Sequence, residues 1–223
     1  LVTIAVGLLA LIVAPESVTR TPGRRIRPNL GIPAESASEF WRVVVPTAFG
    51  VFGMPSLAFG LFPVILKPAM ESVAVFVSGL LGMLAMVSIV PAQAWVGRVG
   101  PHRAAPLALA VGATGCLLGL IAFATGGWPL LFVAAVLMGG ASGLAMTSGL
   151  RFVDLICRPE DRGALNGAFY AAAYAGMMMP LVVTSIARVV GSTTAVLAGV
   201  TVATTSVSLW LYRATREIRA AAI

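Results

Sequence analysis

The chain has 223 residues, of which 59% are hydrophobic and 10% are charged, and its formal net charge is +7 at pH 7. A soluble domain carries about 25% charged residues, and a water-soluble fold of this size could not hide so much apolar surface. The basic residues lie between apolar runs and form no patch with interleaved aromatic residues, so the composition argues against a nucleic-acid partner and favours an integral membrane protein.

The N-terminal part of the chain contains an apolar run at residues 1–13, which is too short to cross a bilayer because a spanning helix needs about 20 apolar residues. This run also lacks an initiating Met and the basic start of a signal peptide. We interpret it as the end of a truncated transmembrane helix. Residues 14–42 follow with several prolines and with four arginines between Arg20 and Arg27, and we predict that they form a basic linker.

Six apolar segments, each long enough to span a bilayer, follow in residues 43–212. None has Asp, Glu, Lys, Arg or His in its core, where a charge costs roughly 2.5–3.5 kcal/mol. Because a segment in lipid must satisfy its own backbone hydrogen bonds, we predict an all-α transmembrane six-helix bundle. The predicted helices are Val43–Leu66, Ser72–Gly97, Ala104–Thr125, Pro129–Leu150, Gly163–Ala187 and Gly191–Tyr212, and residues 213–223 form a tail.

The basic residues divide unequally between the two ends of the predicted bundle. Of the 15 Lys and Arg residues, only Lys67 and Arg188 lie on one side, which leaves 13 on the other. Because cytoplasmic loops carry an excess of basic residues, we predict a multi-pass protein of the inner cell membrane. Residues 14–42 and the C-terminus are expected in the cytoplasm.

Glycines and prolines predict how the helices pack. Pairs of small residues four apart allow close helix approach in lipid, and such pairs occur at Gly115/Gly119, Gly139/Gly143 and Gly163/Gly167. Prolines within spans kink helices, and interrupted helices mark moving parts of transporters. Static kinks filled by neighbouring helices are the alternative. The prolines concerned are Pro46, Pro55, Pro63, Pro91 and Pro180.

The sequence offers little of what an enzyme needs. Residues 140–143 match the GxSG motif of intramembrane serine proteases, but that mechanism needs a histidine base near the serine, and the only histidine, His102, lies in a loop. One histidine and scattered acidic residues form no metal-binding set, and Cys116 and Cys157 are expected to be free thiols. We therefore predict no enzymatic activity, no metal site and no cofactor.

Aromatic, Met and polar side chains share one face on each of three predicted helices. Such groups form an adaptable and mostly apolar binding pocket, although plain packing is an alternative explanation of these stripes. No Asp, Glu, Lys, Arg or His lies among them, so if the protein is a proton-coupled transporter, its titrating carboxylate is expected in the missing part of the chain. The predicted substrate-binding residues are Phe52, Ser56, Phe59, Met138, Ser142, Met146, Asn166, Tyr170 and Tyr174.

Two loops carry a resemblance to a known family. Residues 97–103 resemble a degenerate copy of the loop motif G-x-x-x-D-R-x-G-R-R of the major facilitator superfamily, in which Arg98 and Gly100 match and Gly97 replaces the aspartate. Residues 158–167 are similar to the stretch P-E-x-R-G-x-x-x-G that commonly opens the eleventh helix in that family.

The resemblance implies that the chain is the C-terminal half of a twelve-helix secondary transporter, similar to bacterial drug-efflux members of the family. Such transporters rock two six-helix halves about a central cavity. The implied function is alternating-access, proton-coupled efflux of a lipophilic or drug-like small molecule. The implied partners are the lipid bilayer, this small-molecule substrate and the missing N-terminal six-helix half. A non-transporting membrane sensor or assembly protein with the same fold is the alternative.

The resemblance also implies a group of residues that act in gating at the cytoplasmic loops. In the family, the aspartate and arginines of the loop motif hold one gate state. Because Gly97 cannot replace the aspartate, we hypothesise that Asp154 or Glu160 pairs with Arg98 or Arg103 instead. The predicted gate and loop-motif residues are Arg98, Gly100, Arg103, Asp154 and Arg162.

Overall fold

The computed structural model describes Leu9 and residues 32–221. Apart from Leu9, the predicted helix end at residues 1–13 lies outside the described residues, as do residues 14–31 of the predicted linker. The described part of the chain is helical and contains no β-strand. Five of its helices are long and apolar enough to cross a membrane, and a bent pair makes a sixth span when it is counted as one crossing. The prediction of an all-α membrane bundle is confirmed.

The helices follow one another with short connections. A short helix, Lys67–Met70, and a 3₁₀ turn, Glu71–Val73, join the first two spans. The main helices are α1 (Ala34–Ile65), α2 (Ala74–Val99), α3 (Pro101–Thr125), α4 (Leu130–Ile156), α5 (Arg162–Gly176), α6 (Met179–Val190) and α7 (Thr193–Ala221).

Helix α1 begins at Ala34 instead of the predicted Val43, so the last part of the predicted linker is helical. Its first turns are fixed by tertiary contacts that polarity alone does not reveal. Phe40 is buried in the core, and the Ser36 hydroxyl donates a hydrogen bond to the carbonyl oxygen of Ile156 at 2.6 Å. That carbonyl belongs to the last turn of α4, where it has no helical donor, so the serine satisfies it.

The predicted helix Gly163–Ala187 is two helices, because α5 and α6 meet at an angle of 41°. Pro180 has no amide hydrogen, so the carbonyl of the residue four positions earlier loses its helical donor. At this point the backbone hydrogen bonds join residues three apart, as in a 3₁₀ turn. The Met177 amide donates to the Tyr174 carbonyl at 3.0 Å, and the Met178 amide donates to the Ala175 carbonyl at 3.1 Å. The predicted kink at Pro180 is therefore a break in the span.

Helix α1 is irregular as well. It contains two π-helical stretches, Phe40–Val44 and Ser56–Leu61. Pro46, Pro55 and Pro63 lie next to these stretches, and each removes one backbone donor from the helix. By contrast, α2 continues as an α-helix through Pro91. The prolines thus interrupt the helical hydrogen bonding of the first span far more than that of the second.

Helix α4 lies at the centre of the bundle and packs against α1, α2 and α3. Its contact with α2 is close because Gly139 and Gly143 face backbone carbonyl oxygens, those of Ala85 and Ile89. A side chain at either glycine would overlap these oxygens. The predicted Gly139/Gly143 contact is confirmed, and carbonyl oxygens this close to glycines are typical of weak Cα–H hydrogen bonding between helices.

The other two predicted glycine pairs have different outcomes. Gly115 of α3 faces Met138 of α4, and Gly119 faces the ring of Phe62 on α1, so this pair is a contact. In contrast, a Cβ atom placed on Gly163 or Gly167 would meet nothing within 4 Å among the described residues. The prediction of a close contact at this third pair is wrong for the described bundle, because its face of α5 is turned away from the neighbouring helices.

Charged side chains meet at one end of the bundle. Arg42 of α1 pairs with Glu217 of α7 at 2.9 Å, and Arg158 pairs with Glu35 of α1 at 2.6 Å. The start of α1, the loop after α4 and the end of α7 therefore share one end. This arrangement agrees with the predicted number of crossings, which returns the chain to the side where the bundle begins.

Candidate functional site

The two irregular spans touch each other. A Cβ atom placed on Gly53 of α1 would lie 3.5 Å from the carbonyl oxygen of Gly176, at the end of α5. One placed on Gly60, within the π-helical stretch of α1, would lie 3.7 Å from Cγ of Pro180. The π-helical stretch of α1 thus packs beside the break between α5 and α6.

An aromatic cluster lies next to this meeting point. The rings of Phe52 on α1 and Tyr174 on α5 stack with their centroids 5.1 Å apart and an interplanar angle of 26°. One turn earlier on α5, Tyr170 packs edge-on against Phe169 at 5.5 Å. Tyr174 is 58% exposed and Tyr170 is 37% exposed. We call Phe52, Tyr170 and Tyr174, together with Asn166, the aromatic face.

Asn166 adds a polar group to the aromatic face. It lies one helical turn before Tyr170, and its side-chain oxygen Oδ1 is buried without a hydrogen-bond partner among the described residues. A buried amide oxygen without a donor costs about 1–3 kcal/mol, and hydrocarbon offers no replacement donor. The oxygen is shielded from its surroundings as well as unpaired, so the Asn166 side chain has to turn before it can accept a hydrogen bond from another molecule.

Two predicted substrate-binding serines are engaged in the bundle itself. The Ser142 hydroxyl donates to the carbonyl oxygen of Val51 at 2.5 Å. That carbonyl is four residues before Pro55, which has no amide hydrogen to offer it. Ser56 donates to the Gly53 carbonyl at 2.8 Å. Both serines are buried, and their hydroxyls compensate for the irregular backbone of α1.

The remaining predicted residues are dispersed. Met138 is fully buried and fills the space beside Gly115. Met146 is half-buried against the core, and Phe59 is 38% exposed and faces Gly82 of α2. The structure thus brings four of the nine predicted residues together on the aromatic face, and it places the others inside the bundle or towards α2.

The predicted gate residues form a different pairing from the one hypothesised. Asp154 Oδ1 forms an ion pair with Arg162 Nε at 3.1 Å, and neither Asp154 nor Glu160 forms an ion pair with Arg98 or Arg103. This hypothesis is wrong for the present conformation. The reason is local, since Arg162 begins α5 and reaches back across the short turn to the last turns of α4.

Two glycines of the loop motif have clear structural surroundings. Gly100 separates α2 from α3 with φ = +80°, a conformation that glycine adopts far more readily than other residues. The match of this position to the motif glycine therefore has a backbone reason. Gly97 lies near Arg151 of α4, whose Nη2 would be 4.0 Å from a Cβ atom at position 97. An acidic side chain there would face an arginine.

Two cavities were not predicted. One, of about 790 Å³, lies between the start of α3 and the end of α7. The other, of about 360 Å³, is lined mainly by apolar residues of α1, α3 and α7. None of the nine predicted substrate-binding residues lines either cavity. The position of each cavity depends on how helices that are distant in sequence pack together, which the sequence does not reveal. The one sequence feature that points to the larger cavity is the pair of arginines, Arg103 and Arg216, at the helix ends that border it.

These features define a multi-pass α-helical membrane protein. Comparisons of the chain with protein-family models, with curated protein sequences and with solved structures find no match.

Proposed function

We propose that this bundle is one half of a secondary active transporter of the major facilitator type, which exports a lipophilic or drug-like molecule in exchange for protons. The observation that carries the proposal is the aromatic face, which holds an unpaired amide oxygen beside two interrupted spans. Discontinuous helices commonly form the substrate sites of secondary transporters, and π-helical stretches within helices are frequent at functional sites.

The packing of the helices supports an internal repeat. Helix α1 lies against α4, and α3 lies against α7. The contact between α2 and α4 is matched by the contact between α5 and α1. These three contacts are expected when the first three spans and the last three are related by a two-fold axis, whereas the extensive contact of α3 with α4 has only a small counterpart, between α7 and the first π-helical stretch of α1. Nested repeats of three helices are a property of each half of a major facilitator transporter.

The chemistry of the aromatic face favours a largely apolar substrate with a few polar contacts. Stacked rings offer a large apolar surface and attract cationic groups above their faces. The Asn166 amide and the hydroxyls of Tyr170 and Tyr174 can form hydrogen bonds, and no acidic or basic residue lies among the four residues of the face. The coupling carboxylate would then belong to the other half of the transporter, and the thirteen basic residues would face the cytoplasm of an inner-membrane protein.

The test uses the complete protein, reconstituted in lipid vesicles with an imposed proton gradient, and a lipophilic fluorescent dye as substrate. We expect dye flux that depends on the gradient. Tyr174→Ala removes a ring against which the dye can stack, and since one aromatic contact of this kind contributes about 0.5–1.5 kcal/mol, the KM for the dye should rise by roughly 2- to 12-fold. The matched control is Phe76→Ala on α2, an aromatic residue that is 73% exposed and lies outside the face.

The outcomes separate the proposal from its alternative. Dye binding without flux in the parent protein would contradict transport and would support a membrane sensor with a transporter-like fold. Flux that responds equally to the Tyr174 and Phe76 substitutions would contradict the assignment of the substrate to the aromatic face.

A further inference from the structure

The larger cavity is a cleft at the basic end of the bundle. It has a volume of about 790 Å³, which falls in the range of ligand sites, and it is separate from the aromatic face, because neither α1 nor α5 contributes a lining residue. It is lined by Val99, His102, Arg103, Pro106, Leu107, Ala110, Ser208, Leu209, Tyr212, Thr215 and Arg216.

The polarity of the cleft changes along its length. Helix α3 begins at this end of the bundle and α7 ends there, so both helices carry an arginine at the mouth of the cleft, Arg103 and Arg216. Seven residues deeper on each helix lie Ala110 and Leu209, roughly 10 Å below the arginines at 1.5 Å per residue. Cationic groups therefore stand above an apolar lower wall.

The two arginines at the mouth have no acidic partner among the described residues. The ion pairs at this end of the bundle engage other arginines. The guanidinium of Arg216 lies 5.5 Å from the centroid of the Tyr212 ring, and His102 packs edge-on against Phe152 at 5.0 Å. The mouth thus carries two positive charges that no described carboxylate neutralises.

The hydroxyl groups of Ser208 and Thr215, which line the cleft, already have hydrogen-bond partners. The Ser208 hydroxyl donates to the Pro106 carbonyl at 2.8 Å and ties α7 to α3, and Thr215 donates to the Leu211 carbonyl at 2.8 Å. The lower wall therefore presents apolar surface, and Leu209 is 61% exposed on it. A ligand that fits both parts has an anionic head and a hydrocarbon tail.

We propose that this cleft binds an anionic phospholipid. The phosphate lies between Arg103 and Arg216, because the arginine guanidinium matches phosphate geometry with two parallel hydrogen bonds. The acyl chains lie along Leu107, Ala110 and Leu209. Basic pockets between transmembrane helices commonly bind anionic lipid headgroups. The proposal rests on membrane insertion and not on transport.

The test measures lipid binding to the purified full-length protein in detergent by native mass spectrometry, with phosphatidylglycerol as the probe and phosphatidylcholine of the same chains as the neutral comparison. The double substitution Arg103→Gln and Arg216→Gln should weaken phosphatidylglycerol binding by roughly thirty-fold, equivalent to about 2 kcal/mol. The charge-matched control is Arg98→Gln with Arg213→Gln, which removes two exposed arginines from the same end but outside the cleft. It should leave binding unchanged.

A second variant tests the apolar wall without changing charge. Ala110→Phe places a ring in the lower part of the cleft and should lower phosphatidylglycerol binding as well. Equal losses of phosphatidylglycerol binding in the two double arginine variants would overturn the proposal, because they would indicate non-specific attraction to the basic end. Unchanged binding in both variants would overturn it as well. Binding of inorganic phosphate as tightly as phosphatidylglycerol would also overturn it, because the acyl chains would then contribute nothing.

Discussion

Replacing Gly139 with Ala should destabilise the bundle, because the new methyl group would overlap the carbonyl oxygen of Ala85. A backbone oxygen in a helix cannot move aside as a flexible side chain can, so α2 and α4 must separate. Overpacking of this kind costs about 1–3 kcal/mol. The exchange also gains the helix propensity of Ala over Gly, about 0.8–1.0 kcal/mol. Gly140 provides the matched control, since a Cβ atom there would meet nothing within 4 Å.

The quantity to measure is the difference in unfolding free energy between Gly139→Ala and Gly140→Ala, from reversible denaturation in mixed micelles or from steric trapping in bicelles. Both variants gain the same helix propensity, so this gain cancels and the difference reports only the steric overlap at position 139. We therefore expect Gly139→Ala to be less stable than Gly140→Ala by about 1–3 kcal/mol. Adding Ala85→Gly should not restore stability, because the obstructing atom belongs to the backbone. Equal stability of the two alanine variants would refute the close contact of α2 with α4.

Three further predictions concern the hydrogen bonds, ion pairs and thiols described above. Ser142→Ala should lower the unfolding free energy by about 1 kcal/mol. The loss should be smaller in a Pro55→Ala background, in which the residue 55 amide can donate to the Val51 carbonyl. Additive effects of the two substitutions would contradict the idea that the serine hydroxyl replaces this missing donor. Arg162→Ala should change the unfolding free energy by at most about 1 kcal/mol, because its ion pair with Asp154 is half-exposed. A larger loss that does not depend on salt concentration would contradict this prediction. A membrane-impermeant maleimide should label the half-buried Cys157 from the basic end of the bundle, whereas the buried Cys116 should react only after unfolding; rapid labelling of Cys116 in folded protein would contradict its packing.

Hydropathy predicted the spans well because the cost of placing backbone and charge in hydrocarbon is large and local. It could not place the beginning of α1. Residues 34–42 include Glu35, Glu39 and Arg42, which are typical of a loop, but they form helical turns held by contacts with α4 and α7. These contacts join residues that are far apart in sequence, so no local pattern encodes them.

The candidate site was predicted in part for a similar reason. Helical spacing correctly places Asn166, Tyr170 and Tyr174 on adjoining turns, because a helix fixes the relation of such residues. Spacing within one helix does not determine its rotation against neighbouring helices. It therefore could not show that Ser142 donates to the backbone of α1, or that the fifth span breaks and lets its end pack beside Gly53.

The bond between Ser142 and Val51 also bears on how the protein is made. The two residues are 91 positions apart in sequence, so at a synthesis rate of about 5–20 residues per second the serine follows roughly 5–20 s after the carbonyl that it satisfies. During that interval α1 holds an acceptor that neither its own backbone nor lipid can satisfy. A newly made α1 should therefore remain beside the insertion machinery or water until α4 arrives, and release into lipid would coincide with the assembly of α1 to α4.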